Sequence, residues 1–180
     1  MPSLKEYRNR IASVKSTRKI TSAMKMVAAA KLKKAQDQAQ SSQPYARAMA
    51  AMMARVAANV PTGSGPKLLI GTGRDQVHLI VLVTADRGLC GGFNAGIIRR
   101  ARQEVRRLEL EGKTVKVLCA GRKGRDVLKR EFGDRIERAF TGIGAKGKVA
   151  FADADQVSQY VLEQFERGAF DVCTMLYNEF

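Results

Sequence analysis

Between residues 3 and 58 the chain contains no glycine and a single proline, Pro44. Alanine, lysine, methionine and glutamine dominate this stretch, and all are good helix formers. One continuous helix is the expectation, about 84 Å long at 1.5 Å per residue, far beyond an ordinary globular helix. Pro44 lacks an N–H and crowds the carbonyl four residues back, which predicts a kink rather than a stop. The breaker-rich run Pro61-Thr62-Gly63-Ser64-Gly65-Pro66 then ends the helix.

Apolar residues in this helix follow a heptad. One position reads Leu4, Ile11, Arg18, Lys25, Leu32, Ala39, Ala46, Met53, and its companion reads Tyr7, Val14, Thr21, Ala28, Ala35, Ser42, Met49, Val56. Between residues 18 and 27 the stripe slips by one place, to Ile20, Met24 and Val27. This is the pattern of a coiled-coil seam with a local irregularity, carried chiefly by Ile11, Val14, Leu32, Met49 and Met53. Small seam residues admit a close partner helix, yet residues 60–180 offer no second long amphipathic helix. The partner must come from a second copy, another protein, or sequence beyond Phe180.

Strands and helices alternate through the rest of the chain. His78 to Thr84 is a continuous apolar run suited to a strand buried on both faces. A helix should run from the turn at Asp86–Asn94 to about Leu110, followed by a buried strand at Val115–Ala120 and a helix at Lys123–Phe132. Arg135–Thr141 reads as a weaker edge strand. A helix from Phe151 to Arg167 should place Val157, Val161, Leu162 and Phe165 inward, and Phe170–Leu176 reads as a last buried strand. Such alternation implies an α/β fold with a mainly parallel, Rossmann-like sheet flanked by helices. The expected organisation is a coiled-coil helix over 1–59, a linker over 60–76 and the α/β domain over 77–180, the whole being a piece of something longer.

Charge is placed unevenly. Residues 1–59 hold 12 Lys and Arg against Glu6 and Asp37, whereas residues 60–180 hold 20 against 15. A net of +10 on one helix exceeds what solubility requires and points to acidic partners. Phosphate-backbone binding is one reading, but only Tyr7 and Tyr45 are available for stacking on bases. Insertion among acidic protein surfaces is the other, and the coiled-coil seam favours it. No apolar run approaches the roughly 20 residues of a membrane span, and the N-terminus has no apolar signal core. Cys90, Cys119 and Cys173 lie far apart with His78 as the only histidine, which argues against a disulfide scaffold or a zinc site.

Three motifs invite an enzymatic reading. Gly142-Ile143-Gly144-Ala145-Lys146-Gly147 fits GxGxxG, but its preceding strand is half polar and Glu166 falls within a helix, so a flexible turn is preferred. The run Arg87–Asn94 follows a buried strand and precedes a helix, where Gly88, Gly91 and Gly92 would allow an anion to approach. It lacks the Walker lysine-serine pair, however, and Asp86 would repel the anion. A structural glycine turn, with Asp86 and Asn94 capping backbone groups, is the better reading. Cys90 has no histidine nearby, and His78 reads as a strand-edge residue rather than a general base. Asp153 and Asp155 suit a helix start.

Two long motifs carry a specific resemblance. The run from Ile11-Ala12-Ser13-Val14-Lys15 to Met24-Lys25-Met26-Val27-Ala28-Ala29-Ala30-Lys31 resembles the N-terminal helix of the F-type ATP synthase gamma subunit family. Asp86-Arg87-Gly88-Leu89-Cys90-Gly91-Gly92-Phe93-Asn94 is similar to that family's glycine turn after its first strand. The order of the two motifs, and Pro44-Tyr45-Ala46 between them, also agree. With no regulatory cysteine insertion, the style is bacterial or mitochondrial rather than chloroplast. The family has a second long helix at its C-terminus that these 180 residues do not contain.

The resemblance implies a central rotor stalk. Two helices form an antiparallel coiled coil inside a ring of alternating alpha and beta subunits. The α/β domain meets the epsilon (or delta) subunit and the membrane ring of c subunits. Proton translocation is thereby coupled to ATP synthesis or hydrolysis, with no catalytic residue, cofactor, metal or nucleic acid on this chain. Arg18, Lys19, Met24, Lys25 and Lys31 are expected to face the alpha/beta ring, and Asp86, Gly88, Gly91 and Gly92 to serve folding. Location would be the cytoplasmic face of a bacterial inner membrane, or the matrix face in a mitochondrion.

Overall fold

A computed structural model describes residues 3–61, 65–144 and 149–179, and resolves two compact units, Met1–Ser64 and Gly65–Phe180. The first unit is one helix, α1, Leu4–Asn59, which passes through Pro44 without a break. Its start is fixed by a capping box at the Ser3-Leu4-Lys5-Glu6 sequence. Ser3 Oγ accepts from the Glu6 N–H at 3.3 Å, and the Ser3 N–H donates to Glu6 Oε2 at 2.6 Å.

The second unit begins with a single helical turn, α2, Lys67–Ile70, inside the stretch read as linker. There follow β1 (Val77–Val83), α3 (Phe93–Leu110), β2 (Thr114–Ala120), α4 (Arg122–Phe132), β3 (Ile136–Phe140), α5 (Phe151–Glu166) and β4 (Val172–Leu176). The sheet order is β3-β2-β1-β4 and every pairing is parallel. Side-chain alternation along β1 splits the core into two layers. Ile80 and Leu82 pack with Val117 and Cys119 under α3 and α4, through Ile97, Ile98, Ala101, Val105, Leu108 and Leu128. On the opposite face Leu79, Val81, Leu118 and Phe170 meet Val157, Tyr160, Val161 and Phe165 near α5.

Three details differ from the sequence reading, each for a positional reason. Phe170 is buried but precedes the last strand, and β4 is an edge strand with Cys173 and Met175 exposed, because nothing pairs on its outer side among the described residues. On α5, Tyr160 turns inward and Leu162 outward. Tyr160 meets Phe140 edge-on at 5.9 Å, and the Arg138 guanidinium lies 4.9 Å from its ring. His78 is no edge residue: it is buried in the central strand, with Nε2 2.7 Å from Asp75 Oδ1.

The ends of the strands are closed by specific atoms. At the N-terminal end Asp171 Oδ2 accepts from the Gln76 and Val77 N–H groups at 3.0 and 2.9 Å, and Oδ1 meets Arg74 Nε at 3.1 Å. At the other end Gly121 has φ +116°, and a Cβ there would lie 2.1 Å from the Thr84 carbonyl oxygen. Gly91, by contrast, has φ +56° with open space around it.

Two outcomes follow. Gly121→Ala should destabilise the α/β unit by about 4 kcal/mol or more, because backbone would have to move, whereas Gly91→Ala should cost only about 1–2 kcal/mol of left-handed strain. Urea unfolding followed by circular dichroism separates the two. The N–H bonds from Val77 and Gln76, with Arg74, hold the Asp171 carboxyl below the usual aspartate range. Its folded pKa is depressed, so its contribution to stability is complete above the unfolded value of about 3.9 and is lost as pH falls below it. Comparing Asp171→Asn with the parent between pH 6 and pH 2 should show the difference shrink in that acid window.

Candidate functional site

On α1 none of the side chains is buried. Ile11 is 54% exposed, Val14 62%, Leu32 57%, Met49 37% and Met53 47%, so the apolar stripe is uncovered within its own chain. Hydroxyls at the seam (Thr21, Ser42) and beside it (Thr17) are turned inward instead of outward. Thr17 Oγ1 donates to the Ser13 carbonyl at 3.0 Å, Thr21 Oγ1 to Thr17 at 2.8 Å, and Ser42 Oγ to Ala39 at 2.9 Å. With its hydroxyl satisfied by the helix, each residue offers carbon to a neighbour at little desolvation cost. Sequence periodicity missed this, although Ser and Thr at heptad positions signal it.

The five residues expected to face a ring do not share one face. Side chains on an α-helix advance about 100° per residue, so Arg18 and Lys25 nearly coincide in azimuth, as do Met24 and Lys31, while Lys19 stands about 100° or more from both pairs. A shallow groove on α1 is lined by Val14, Thr17, Arg18, Thr21, Ser22 and Lys25, without Lys19, Met24 or Lys31. Ion pairing does not bind these cations to their own chain. Among the described residues every ion pair lies between Arg74 and Asp171, and Glu6 and Asp37 are the only acids on α1.

The glycine turn occupies the place where parallel α/β sheets often bind ligands. Strand order reverses between β1 and β4, and the turn leaves the C-terminal end of β1 at that point. Here the protein's own groups converge. Asp86 Oδ1 accepts from the Arg122 N–H at 2.7 Å, and Oδ2 from the Gly142 N–H, so one carboxylate joins the ends of β1, β2 and β3. Asn94 Oδ1 accepts from Ala85 N–H at 2.9 Å, Asn94 Nδ2 contacts Cys90 Sγ at 3.0 Å, and Asn178 Nδ2 donates to the Phe93 carbonyl at 3.1 Å. Gly124 N–H donates to Thr84 Oγ1 at 2.9 Å. Gly88 lies against Lys123, whereas Gly91 and Gly92 are open around their Cα atoms. Leu89 projects fully exposed from a left-handed backbone, φ 61°, on this stapled loop. The sequence reading missed Gly121 and Gly124, which are the tightly confined glycines of this end.

No cluster of three or more His, Cys, Asp or Glu suited to a metal occurs among the described residues, and none of the helices is long and apolar enough to cross a membrane. Of the GxGxxG run, residues 145–147 lie outside the described residues, while the Gly142 N–H is engaged by Asp86. Burial pushes the Cys119 thiol up to about 11. A thiol held protonated in this way is no poised nucleophile.

Fold and surface therefore define an α/β protein that carries a long cationic helical stalk. A family model described as ATP synthase matches residues 3–180. The ATP synthase gamma chain of Brucella ovis is 52% identical over 180 residues, and that of Sinorhizobium fredii 53% over 185, each match covering all of this chain and 61% of the relative. Among solved structures, a chain of the Tetrahymena thermophila mitochondrial ATP synthase, from its central stalk and c-ring structure, superposes with a TM-score of 0.64 at 30% identity. That match covers 89% of this chain and 66% of the other. The chain belongs to the ATP synthase family, and it spans about three fifths of the length of the gamma chains it matches.

Uncovered apolar residues predict poor protection of α1 in this chain by itself. Hydrogen exchange should find amides of residues 4–40 fast while Leu79–Leu82 and Val117–Leu118 remain slow. Slow exchange along the whole of α1 in a demonstrated monomer would contradict the need for a partner.

Proposed function

We propose that the chain is the N-terminal part of a central stalk subunit that couples proton translocation to ATP synthesis or hydrolysis by rotation. Residues 1–59 act as the shaft, 60–76 as a linker and 77–180 as the α/β domain outside the ring. Its partners are the alpha and beta subunits, the epsilon (or delta) subunit and the c ring. It binds no cofactor or nucleic acid and holds no catalytic residue. It works peripherally, at the cytoplasmic face of a bacterial inner membrane or the matrix face of a mitochondrion.

The observation that carries this reading is the uncovered apolar stripe on a cationic helix of 56 residues. Each large side chain on the stripe would contribute about 1.5–3 kcal/mol on full burial, so a second helix is strongly favoured along it. The remaining circumference is cationic and without ion pairs of its own. A rotating shaft must remake its contacts at every step, and exposed pairs of about 0–1 kcal/mol each permit that. Broad complementarity with an acidic collar orients the shaft without locking it. Lys19 on one side of the helix, and Met24 with Lys31 on another, are suited to a collar that surrounds the helix.

Nucleotide handling belongs elsewhere in this reading: the strand ends at the switch point are occupied by Asp86, Asn94 and Asn178. Calorimetric titration of the chain with Mg-ATP should give no saturable heat. In vesicles reconstituted with the whole complex, Lys19→Glu and Met24→Lys should assemble but change the ratio of proton pumping to ATP hydrolysis. Parental ratios in both variants, together with tight binding of duplex DNA that Lys19→Glu weakens, would overturn the stalk reading in favour of nucleic-acid binding.

A further inference from the structure

The apolar stripe of α1 is interrupted by two cations, and their positions specify the chemistry of whatever helix covers it. Ile11 and Val14 before the interruption, and Leu32 after it, lie within a narrow arc of the helix surface, and Arg18 and Lys25 fall inside that arc. The structure confirms their common face: Val14, Thr17, Arg18, Thr21, Ser22 and Lys25 line one groove. Thr21, which lines the groove between the two cations, has its hydroxyl bonded back to the Thr17 carbonyl, so a partner helix can approach closely there. The alternative stripe of Ile20, Met24 and Val27 lies more than a quarter-turn away. Because α1 is uninterrupted over the five turns from Val14 to Leu32, a partner that follows Ile11 and Val14 straight to Leu32 passes over Arg18 and Lys25.

A cation enclosed in such a seam without a counter-charge is strongly unfavourable. The helix itself cannot supply one. Its acids are Glu6 and Asp37, each 12 residues from the nearer cation, and Glu6 is already engaged by the Ser3 N–H. More than a third of the length of the matching gamma chains lies outside the part this chain spans. We propose that a helix from that remaining stretch covers the seam and presents two carboxylates one heptad apart, about 10 Å along its axis, opposite Arg18 and Lys25. The pair fixes the register of the two helices, as polar seam residues do elsewhere. Arg18 and Lys25 are then seam residues, and the ring-facing cations are Lys19 and Lys31. This inference rests on the shaft reading of the preceding section.

Zero-length carbodiimide coupling tests it in the full-length chain, both free and assembled, with Arg18→Lys introduced so that position 18 can also react. Mass spectrometry should find position 18 and Lys25 joined to two carboxylates seven residues apart in the stretch beyond residue 180. Coupling of Lys25 to a carboxylate of another subunit, or to none, overturns the register proposal while leaving the shaft reading intact. Failure of the full-length chain to assemble with the alpha and beta subunits would sink the shaft reading instead, and the coupling in the free chain still decides the register. As a second measurement, Arg18→Glu with Lys25→Glu should speed amide exchange over residues 11–32 by about tenfold or more in the full-length chain, and Lys19→Glu by no more than about twofold. Equal effects of the two changes would count against the proposal.

Discussion

A helix of 56 residues that buries none of its apolar side chains forgoes the packing that most helices in proteins depend on. Its intrinsic propensity is high, but most helical stability in proteins comes from packing one face against something else. This single requirement organises the rest of the protein. It leaves the apolar stripe of the N-terminal segment open to a covering helix, and it leaves the charge on the other faces exposed. Small residues and inward-bonded hydroxyls at Thr17, Thr21 and Ser42 serve the same requirement, because they let another backbone approach without stranding a polar group.

The α/β unit solves a different problem. Its parallel sheet is narrow, and its C-terminal strand ends would be an open crevice were they not tied together. Asp86 does most of that work, accepting from residues that follow β2 and β3 while it sits just after β1. Gly121 and Gly124 allow the β2–α4 connection to press against Thr84. Residue types that in another setting hold a phosphate, a glycine turn between a strand and a helix, here close the domain on itself. The turn remains rigid enough to hold Leu89 in a left-handed conformation, which costs about 1–2 kcal/mol when unsupported.

Electrostatics distinguishes the two units. Ion pairs among the described residues all fall in the α/β unit, where carboxylates are shared between neighbouring arginines: Glu131 meets Arg102 and Arg106, and Glu104 meets Arg100 and Arg107. On α1, with only Glu6 and Asp37 as acids, the cations have no such partners. Fixed pairs suit a domain that keeps one shape, whereas unpaired cations leave a surface free to meet counter-charges outside the chain.

Much of this was legible without coordinates. A run of good helix formers without glycine over residues 3–58 specified the long helix, because nothing in it interrupts helical propensity, and the heptad showed where a partner would lie. The apolar run at 79–83, and the β-branched and apolar run at 115–120 broken only by Lys116, marked the central strands, because short runs of this kind bounded by turn signals suit strands covered on both faces. Edges were harder: whether β4 lay inside or at the rim depended on pairing with residues distant in sequence, so Met175 read as buried and is exposed. The inward turn of Tyr160 depended on Arg138 and Phe140 of β3, which helical periodicity cannot see. The candidate site divided in the same way. Composition alone identified the cations of α1, but helix geometry separated Arg18 and Lys25 from Lys19, Met24 and Lys31. Local sequence thus determined which elements form and what chemistry they carry, because propensity and periodicity act over a few residues. Tertiary structure alone decided which faces are covered, because burial is a property of contacts between elements that the chain brings together only on folding.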